Sequence, residues 1–185
     1  MATENGIAPG PRVGVLVGGG FQELEFWYPV LRLREEGVEV VVIGPGSEAQ
    51  VTSQLGYPVI PELAMDVAAS TSLSALVIPG GAMARRLLTD AAAMRLVAAA
   101  ASAGAVMAAL SEGVQLLAVA GLLNGRRVAC PASLAGTVRE AGGEVATEAV
   151  SVQDGVTTAR STDDLPAFFR ALMGALAQQP NRVAA

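Results

Sequence analysis

The stretch that decides the fold is Val106-Met-Ala-Ala-Leu-Ser-Glu-Gly-Val-Gln-Leu-Leu-Ala-Val-Ala120. Its first five residues, Val106 to Leu110, form an apolar run with the length of a buried strand. The residues from Glu112 to Ala120 place apolar side chains at helical spacing. A buried strand that runs straight into a helix is the repeating unit of α/β proteins. The stretch therefore predicts a strand, a sharp turn at Ser111 and a helix.

The same alternation of strand and helix patterns extends in both directions from this stretch. Apolar strands are predicted at Val13–Val17, Val38–Ile43, Ala75–Ile78 and Arg127–Ala129, a short hairpin arm at Val51–Ile60, and a strand pair across Glu144–Ala159. Helices are predicted at Glu23–Glu36, Ala82–Leu88, Ala91–Ser102, Ser133–Ala141 and Asp163–Ala177. This order predicts an α/β fold with a mostly parallel sheet covered on both faces. We expect one domain over residues 12–177, a disordered lead over 1–11 and a tail over 178–185.

Composition excludes several classes of function. The chain has 185 residues, 52% of them hydrophobic and 16% charged, with 12 basic and 17 acidic side chains and a net charge of -5. An acidic chain lacks the basic stripe that nucleic-acid binding requires. We find no segment typical of an export signal or a membrane span, and we expect a cytoplasmic protein. The single cysteine, Cys130, excludes an intramolecular disulfide.

Two residue types are absent, and their absence restricts the chemistry. The chain contains no histidine, and all 12 basic residues are arginine. A Ser-His-Asp triad, a histidine-ligated metal, a Schiff base and a Walker lysine are therefore excluded within one chain. The glycines at 18–20 lack the spacing of a dinucleotide-binding loop. We expect no metal and no cofactor, so catalysis would depend on carboxylates, hydroxyls, one thiol, arginine and backbone amides.

The turn at Ser111 allows two interpretations. Ala109-Leu-Ser-Glu-Gly113 has the small-x-nucleophile-x-small pattern of a nucleophile elbow, in which small flanking residues permit a strained turn. Amides of Gly80 and Gly81, at the end of a neighbouring strand, would then lie close enough to bind a developing oxyanion. Alternatively, Ser111 caps the helix and Glu112 occupies its first turn, where acidic residues are favourable. Spacing alone does not decide between these interpretations.

Five segments resemble one known family. They are Val13–Val30, Leu76–Ala82, Gly113–Ala118, Ala120–Val128 and Asp163–Phe168. On these segments, which extend over nearly the whole chain, the sequence resembles the ThiJ/PfpI superfamily, which includes the parkinsonism-associated deglycase. The resemblance implies a flavodoxin-like three-layer α/β/α sandwich, similar to class I glutamine amidotransferases. It also implies self-association as a homodimer.

The resemblance transfers only part of the family's active site. The family elbow reads Ala-Ile-Cys-His-Gly, so Ser111 stands at the cysteine position and Glu112 at the histidine position. The family glutamate that hydrogen-bonds the cysteine falls on Glu25. Peptidase, glyoxalase and deglycase activities in this family depend on the thiolate, and a serine hydroxyl is far less acidic than a thiol. We therefore do not transfer those activities, and Cys130 lies too far along the chain from the elbow to replace the thiol.

The remaining residues suggest two functions of different kinds. In the implied fold Glu25, Ser111 and Glu112 converge over Gly80 and Gly81, and two nearby carboxyls provide an acid and a base without histidine. Such a site suits hydration, dehydration, isomerisation or cyclisation of a small carbonyl metabolite. The alternative is an inactive binding or scaffold protein. A serine hydrolase would need a base from another chain. On the same side of the sheet, Arg85 is a candidate for binding a substrate carboxylate or phosphate.

Overall fold

The computed structural model describes residues 10–46 and 49–179. The expected lead and tail fall mostly on residues 1–9 and 180–185, which lie outside the described residues. The strands are β1 (Arg12–Leu16), β2 (Glu39–Gly44), β3 (Val51–Thr52), β4 (Pro58–Val59), β5 (Leu63–Ala64), β6 (Ala75–Ile78), β7 (Val106–Leu110), β8 (Arg127–Val128), β9 (Glu144–Val145), β10 (Val150–Gln153) and β11 (Val156–Ala159). The α-helices are α1 (Glu23–Glu35), α2 (Met65–Ala68), α3 (Ala82–Leu87), α4 (Ala91–Ser102), α5 (Val114–Val119), α6 (Ala135–Glu140) and α7 (Leu165–Ala177).

A seven-stranded sheet forms the centre of the fold, in the order β10-β11-β7-β6-β1-β2-β5. Every neighbouring pair in this sheet is parallel except β10 and β11, which are antiparallel. The predicted α/β fold with a mostly parallel sheet is therefore confirmed. Two further pairs, β3 with β4 and β8 with β9, form small separate sheets.

The strand order places the functional turns together. The chain passes from β1 outward to β2 on one side, whereas β6 and β7 lie on the other side of β1. In open parallel sheets, ligands bind at such a reversal of strand order, outside the carboxyl ends of the strands. The turns that follow β1, β6 and β7 meet at this edge.

Helices cover the sheet. Helix α1 packs against β2 and α7, and α7 packs against β7, β10 and β11. A second group of helices has α4 at its centre. Helix α4 packs against α2, α3 and α5, and α3 also packs against α5. The strands are buried because both faces are covered; Val13, Val15 and Ile78 are fully inaccessible to solvent. No helix among the described residues is long and apolar enough to cross a membrane.

The structure differs from the sequence prediction in three local details. The predicted strand pair across Glu144–Ala159 is split, because β9 pairs with β8 whereas β10 and β11 form the hairpin. A two-residue turn at Asp154–Gly155 closes that hairpin and fixes its register. The segment β5–α2 was not predicted, since its pieces are too short to show a periodicity. The helix expected from Glu112 begins with a 3₁₀ turn at Ser111–Gly113.

Candidate active site

Ser111 occupies a strained turn at the carboxyl end of β7. Its φ angle of 46° lies in the left-handed region, where residues with a side chain are uncommon. The side chain is buried, and its hydroxyl donates a 2.7 Å hydrogen bond to Oε1 of Glu25. The N-cap position of the 3₁₀ turn is Leu110, and the Ser111 hydroxyl bonds to Glu25. The strained turn holds the Ser111 side chain against Glu25. The interpretation of Ser111 as the N-cap is wrong, whereas Glu112 does lie in the first turn, as that interpretation predicts.

Glu25 is a buried carboxylate that accepts three hydrogen bonds. It lies in the first turn of α1, and only 1% of its surface is exposed. Oε1 accepts from the hydroxyls of Ser111 and Thr162, the latter at 3.0 Å. Oε2 accepts from the amide of Gly80 at 2.7 Å. These donors replace the water that the carboxylate loses on burial.

The environment of Glu25 raises its pKa above the ordinary value for a glutamate. Burial is the largest cause, because it disfavours the charged form. Hydrogen bonds from Ser111, Gly80 and Thr162 lower the pKa, and the nearby negative charge of Glu112 raises it. Since the effect of burial prevails, Glu25 retains a proton to a higher pH than a solvated glutamate.

Glu112 brings a second carboxylate to the same place. Its side chain is half-buried, and Oε2 accepts a 2.9 Å hydrogen bond from the amide of Gly81. The amides of Gly80 and Gly81, which we expected to face a substrate oxygen, thus donate to the protein's own carboxylates. The physical reason is that buried carboxylates need donors, and this chain has no lysine or histidine to provide them.

The Gly80–Gly81 turn leaves no room for side chains. A Cβ atom on Gly80 would lie 2.5 Å from Oε2 of Glu112, 2.7 Å from Oε2 of Glu25 and 2.9 Å from Cβ of Ser111. Gly81 has a φ of 91°, and a Cβ there would lie 2.6 Å from the backbone oxygen of Gly20. The two carboxylates and the serine therefore converge directly on Gly80.

Thr162 is the member of the site that the sequence prediction missed. It lies in the 3₁₀ turn Thr162–Asp164, which precedes α7, and it is half-buried. It is separated from Glu25 by 137 positions. A threonine before an acidic pair is also typical of an ordinary helix start, so no local pattern indicates this contact.

Two other candidate residues lie outside this cluster. Arg85 and its neighbour Arg86 are both exposed on α3, and Arg86 donates a 2.9 Å hydrogen bond to the carbonyl of Gly19. Cys130 is buried after β8, and burial raises the pKa of its thiol, although Arg139 lowers it. Within residues 10–46 and 49–179, no three metal-ligating side chains are grouped.

Comparisons with known proteins place this geometry in a family. A model of the DJ-1/PfpI family matches residues 11–175. The chain is 35% identical to an uncharacterized protein of Archaeoglobus fulgidus, covering 85% of this chain and 93% of that protein. It is 31% identical to Deglycase TK1284 of Thermococcus kodakarensis, covering 86% of this chain and 95% of the relative.

Solved structures agree on the fold. The structure of Drosophila melanogaster DJ-1beta matches with a TM-score of 0.84 at 22% identity, over 93% of each chain. The C103A mutant of a DJ-1 superfamily protein from Salmonella typhimurium matches with a TM-score of 0.83 at 24% identity, over 90% of each chain. The strand order, the elbow and the sequence matches lead to one conclusion: the chain belongs to the DJ-1/PfpI family.

Proposed function

We propose that the chain is an enzyme that performs acid–base chemistry on a small carbonyl metabolite, without a thiol. The reactions that fit are hydration, dehydration, isomerisation and cyclisation. One observation carries the proposal: the Ser111 hydroxyl is hydrogen-bonded to Glu25, a buried carboxylate whose pKa is raised. A carboxyl whose pKa is raised keeps its proton to a higher pH than a solvated glutamate does, which suits a general acid.

Ser111 connects Glu25 to the substrate. Glu25 has only 1% of its surface exposed, whereas Ser111 keeps 7%, so we assign contact with the substrate to Ser111. A hydroxyl both donates and accepts, and its proton rotates to suit its partners. When Glu25 is protonated, it donates to the Ser111 oxygen, and Ser111 is free to donate its own proton to a substrate carbonyl oxygen. The pair thus delivers a proton through the hydroxyl.

Glu112 provides the base. The amide of Gly81 fixes Oε2 of this carboxylate, and we assign Oε1 to proton removal from the carbon beside the carbonyl. As Glu112 takes this proton, Ser111 donates its hydroxyl proton to the carbonyl oxygen. Glu25 then donates its own proton to the Ser111 oxygen, which restores the hydroxyl. The product of the step is a neutral enol, with one proton moved to Glu112 and one lost from Glu25. An isomerisation is completed when Glu112 returns its proton to the neighbouring carbon and a hydroxyl proton of the enediol restores Glu25. A dehydration is completed when Glu112 protonates the departing hydroxyl, which leaves as water, and the enol proton returns to Glu25 through Ser111.

The same contacts argue against a nucleophilic serine. Acyl transfer needs free donors where the negative oxygen develops. Here the amides of Gly80 and Gly81 already donate to the side chains of Glu25 and Glu112, so neither amide is free to bind an oxyanion, and the negative charge of Glu112 would repel it. We likewise do not extend the deglycase name of the relatives to this chain, since Ser111 stands where the family has its cysteine.

A binding or scaffold protein is the second candidate. The observation that favours it is the saturation of the glycine amides by the protein's own side chains, which leaves the site closed on itself. In that case Glu25 and Ser111 would contribute only to the stability of the turn.

Hydrogen–deuterium exchange on a substrate panel distinguishes the two candidates. Aldehydes, ketones, enones and hydroxy acids are incubated with the protein in D₂O, and loss of the signal of the proton beside the carbonyl is followed by proton NMR. We expect catalysed exchange for at least one class, with Glu25→Gln, Glu112→Gln and Ser111→Ala each slower by about 100-fold or more.

Glu23→Gln is the matched control, because Glu23 is a buried carboxylate on the same helix that accepts from the amide of Leu55 instead. Its exchange rate should stay within about twofold of the wild-type rate. A panel without catalysed exchange and without ligand-induced thermal stabilisation would exclude the enzyme and support the scaffold.

A further inference from the structure

An open cleft lies beside the Gly80–Gly81 turn, away from the two carboxylates. This cleft, of about 660 Å³, is bounded by the turn after β1, the β3 strand with its following loop, and the start of α3. Its lining includes Gly19, Gly20, Thr52, Gln54, Ala82 and Arg86. The cleft is wide open to solvent and its lining is largely polar, so a ligand there would be held by polar contacts rather than by enclosure.

The cleft is separate from the carboxylates of the active site. The Cβ position of Gly80 points toward Glu25 and Glu112, whereas the Cβ position of Gly81 points toward the backbone of Gly20 and Gln22. Gly20 lines the cleft and packs directly on Gly81. The turn therefore forms a wall between the two sites.

Arg86 is held in place at this cleft. Its Nη1 atom donates a 2.9 Å hydrogen bond to the carbonyl of Gly19. A Cβ on Gly19 would lie only 3.1 Å from Nη1, so the guanidinium packs closely over the glycine backbone. A guanidinium has five N–H donors in a rigid fork, and this bond uses one of them. A guanidinium anchored at one atom loses less freedom when it binds a ligand.

Arg86 differs from those arginines of the described residues that form ion pairs. Six arginines of the described residues are ion-paired with acidic side chains: Arg12, Arg32, Arg34, Arg95, Arg127 and Arg160. Arg34 lines a neighbouring groove, but Glu62 neutralises it at 3.2 Å. Arg86 lines a cavity, and no carboxylate of the described residues forms an ion pair with it. None of the lining residues described for this cleft is acidic.

We propose that this cleft binds a small polar molecule through an anionic group, a carboxylate or a phosphate, held by the guanidinium of Arg86. Planar recognition of such groups is the property for which arginine is best suited. The side chains of Thr52 and Gln54 offer neutral hydrogen-bonding partners for the rest of the molecule. This site does not depend on the proposed catalysis, and a binding experiment tests it alone.

The test is an NMR titration of the ¹⁵N-labelled chain with inorganic phosphate and, separately, with acetate, at constant ionic strength. We expect saturable shifts at the amides of Gly19, Gly20 and Ala82, and the tighter of the two ions identifies the anionic group. Arg86→Gln should weaken binding by about tenfold or more. Arg85→Gln is the matched control, since it removes the adjacent exposed charge, and it should bind as the wild type does.

Three outcomes would overturn the proposal. They are shifts that grow without saturation, equal weakening in both arginine variants, and shifts centred on Glu112 rather than on the cleft. The spectrum of Arg86→Gln itself reports whether the variant is folded. If it is not, Arg86→Lys provides the decision, because it keeps the charge and removes the planar fork of donors, and unchanged binding would contradict the assigned recognition.

Discussion

The hydroxyl of Ser111 donates a 2.7 Å hydrogen bond to Oε1 of Glu25, a residue 86 positions earlier in the chain. The bond joins a strained turn at the end of β7 to the first turn of α1. It also makes the serine an extension of a carboxyl group that solvent cannot reach. Both the reactivity of the serine and the protonation of the glutamate therefore depend on the same contact.

The first prediction concerns the dependence of stability on pH. Because the pKa of Glu25 is raised in the folded chain, the folded state holds this proton more tightly than the unfolded state. The resulting stabilisation is complete below the ordinary glutamate pKa and is lost as the pH rises through the raised value. The slope is at most about 1.4 kcal/mol per pH unit.

Glu25→Gln should remove this dependence. The amide oxygen can accept from Gly80, and the amide nitrogen can donate to the hydroxyls of Ser111 and Thr162, so the variant reproduces the protonated carboxyl. Denaturant unfolding at a series of pH values provides the measurement. We compare the free energies of unfolding of wild type and variant from roughly pH 4 to roughly pH 8, the range in which glutamates titrate in proteins. If the two free energies change with pH in parallel, the raised pKa is contradicted.

The second prediction concerns Thr162. Its hydroxyl donates to Oε1 of Glu25 and lowers the pKa of that carboxyl. Thr162→Val keeps the shape of the side chain and removes the donor, so the pKa of Glu25 should rise further. The side-chain carboxyl signal of Glu25, followed by ¹³C NMR during a pH titration, measures this change.

Thr157→Val is the matched control for Thr162. Thr157 is fully buried, and its hydroxyl has no hydrogen-bond partner among the described residues. Replacing this hydroxyl with a methyl group should raise the free energy of unfolding by about 1 kcal/mol and leave the titration of Glu25 unchanged. A shift of the Glu25 titration in both variants would mean that Thr162 acts through general packing.

The third prediction concerns the glycine turn. Gly80→Ala places a methyl group against both carboxylates and Ser111, and we expect the free energy of unfolding to fall by about 1–3 kcal/mol. Gly174→Ala is the control, since Gly174 lies in the interior of α7 with open space around its Cβ position. That variant should gain about 0.5–1 kcal/mol. Thermal unfolding that ranks the two variants in the opposite order would refute the crowding at Gly80.

The fourth prediction concerns thiol reactivity. Cys130 is buried and its pKa is raised, so native wild-type protein should resist iodoacetamide. In Ser111→Cys, the new thiol would replace a buried hydroxyl beside the carboxyl of Glu25, and neither burial nor this neighbour favours the reactive thiolate. Intact-protein mass spectrometry should therefore show no added label on the native wild type or on the native variant, and after unfolding in denaturant one label on the wild type and two on the variant. Rapid labelling of the native wild type would show that Cys130 is accessible.

The sequence was sufficient for the parallel sheet and for the turn that carries Ser111. These features follow from local periodicity, because each strand and helix is long enough to show its own pattern. Glu25 was reached only through the family resemblance, since nothing local links a residue of α1 to a turn far along the chain. Resemblance also could not indicate Thr162, whose role depends on where the turn before α7 lies in space.

Arg85 and Arg86 show a second limit of prediction from sequence. Arg85 and Arg86 are adjacent in the sequence, and both are exposed on α3. Which of them reaches the turn after β1 depends on the rotation of this short helix, which its buried residues Met83, Ala84 and Leu87 fix. That rotation results from packing against other elements, and no local pattern encodes it.

The crowding around Gly80 and Gly81 has a consequence for recognising distant relatives. At the elbow, serine can stand in for cysteine because the two side chains occupy similar space, so the reactive atom can change while the backbone persists. At the glycine turn, no residue with a side chain can replace glycine in the same way. The space beside Gly80 is filled by the side-chain oxygens of Glu25 and Glu112, and the space beside Gly81 is filled by backbone atoms. A search for chains that share this architecture but differ in chemistry should therefore be anchored on the glycine pair rather than on the nucleophile.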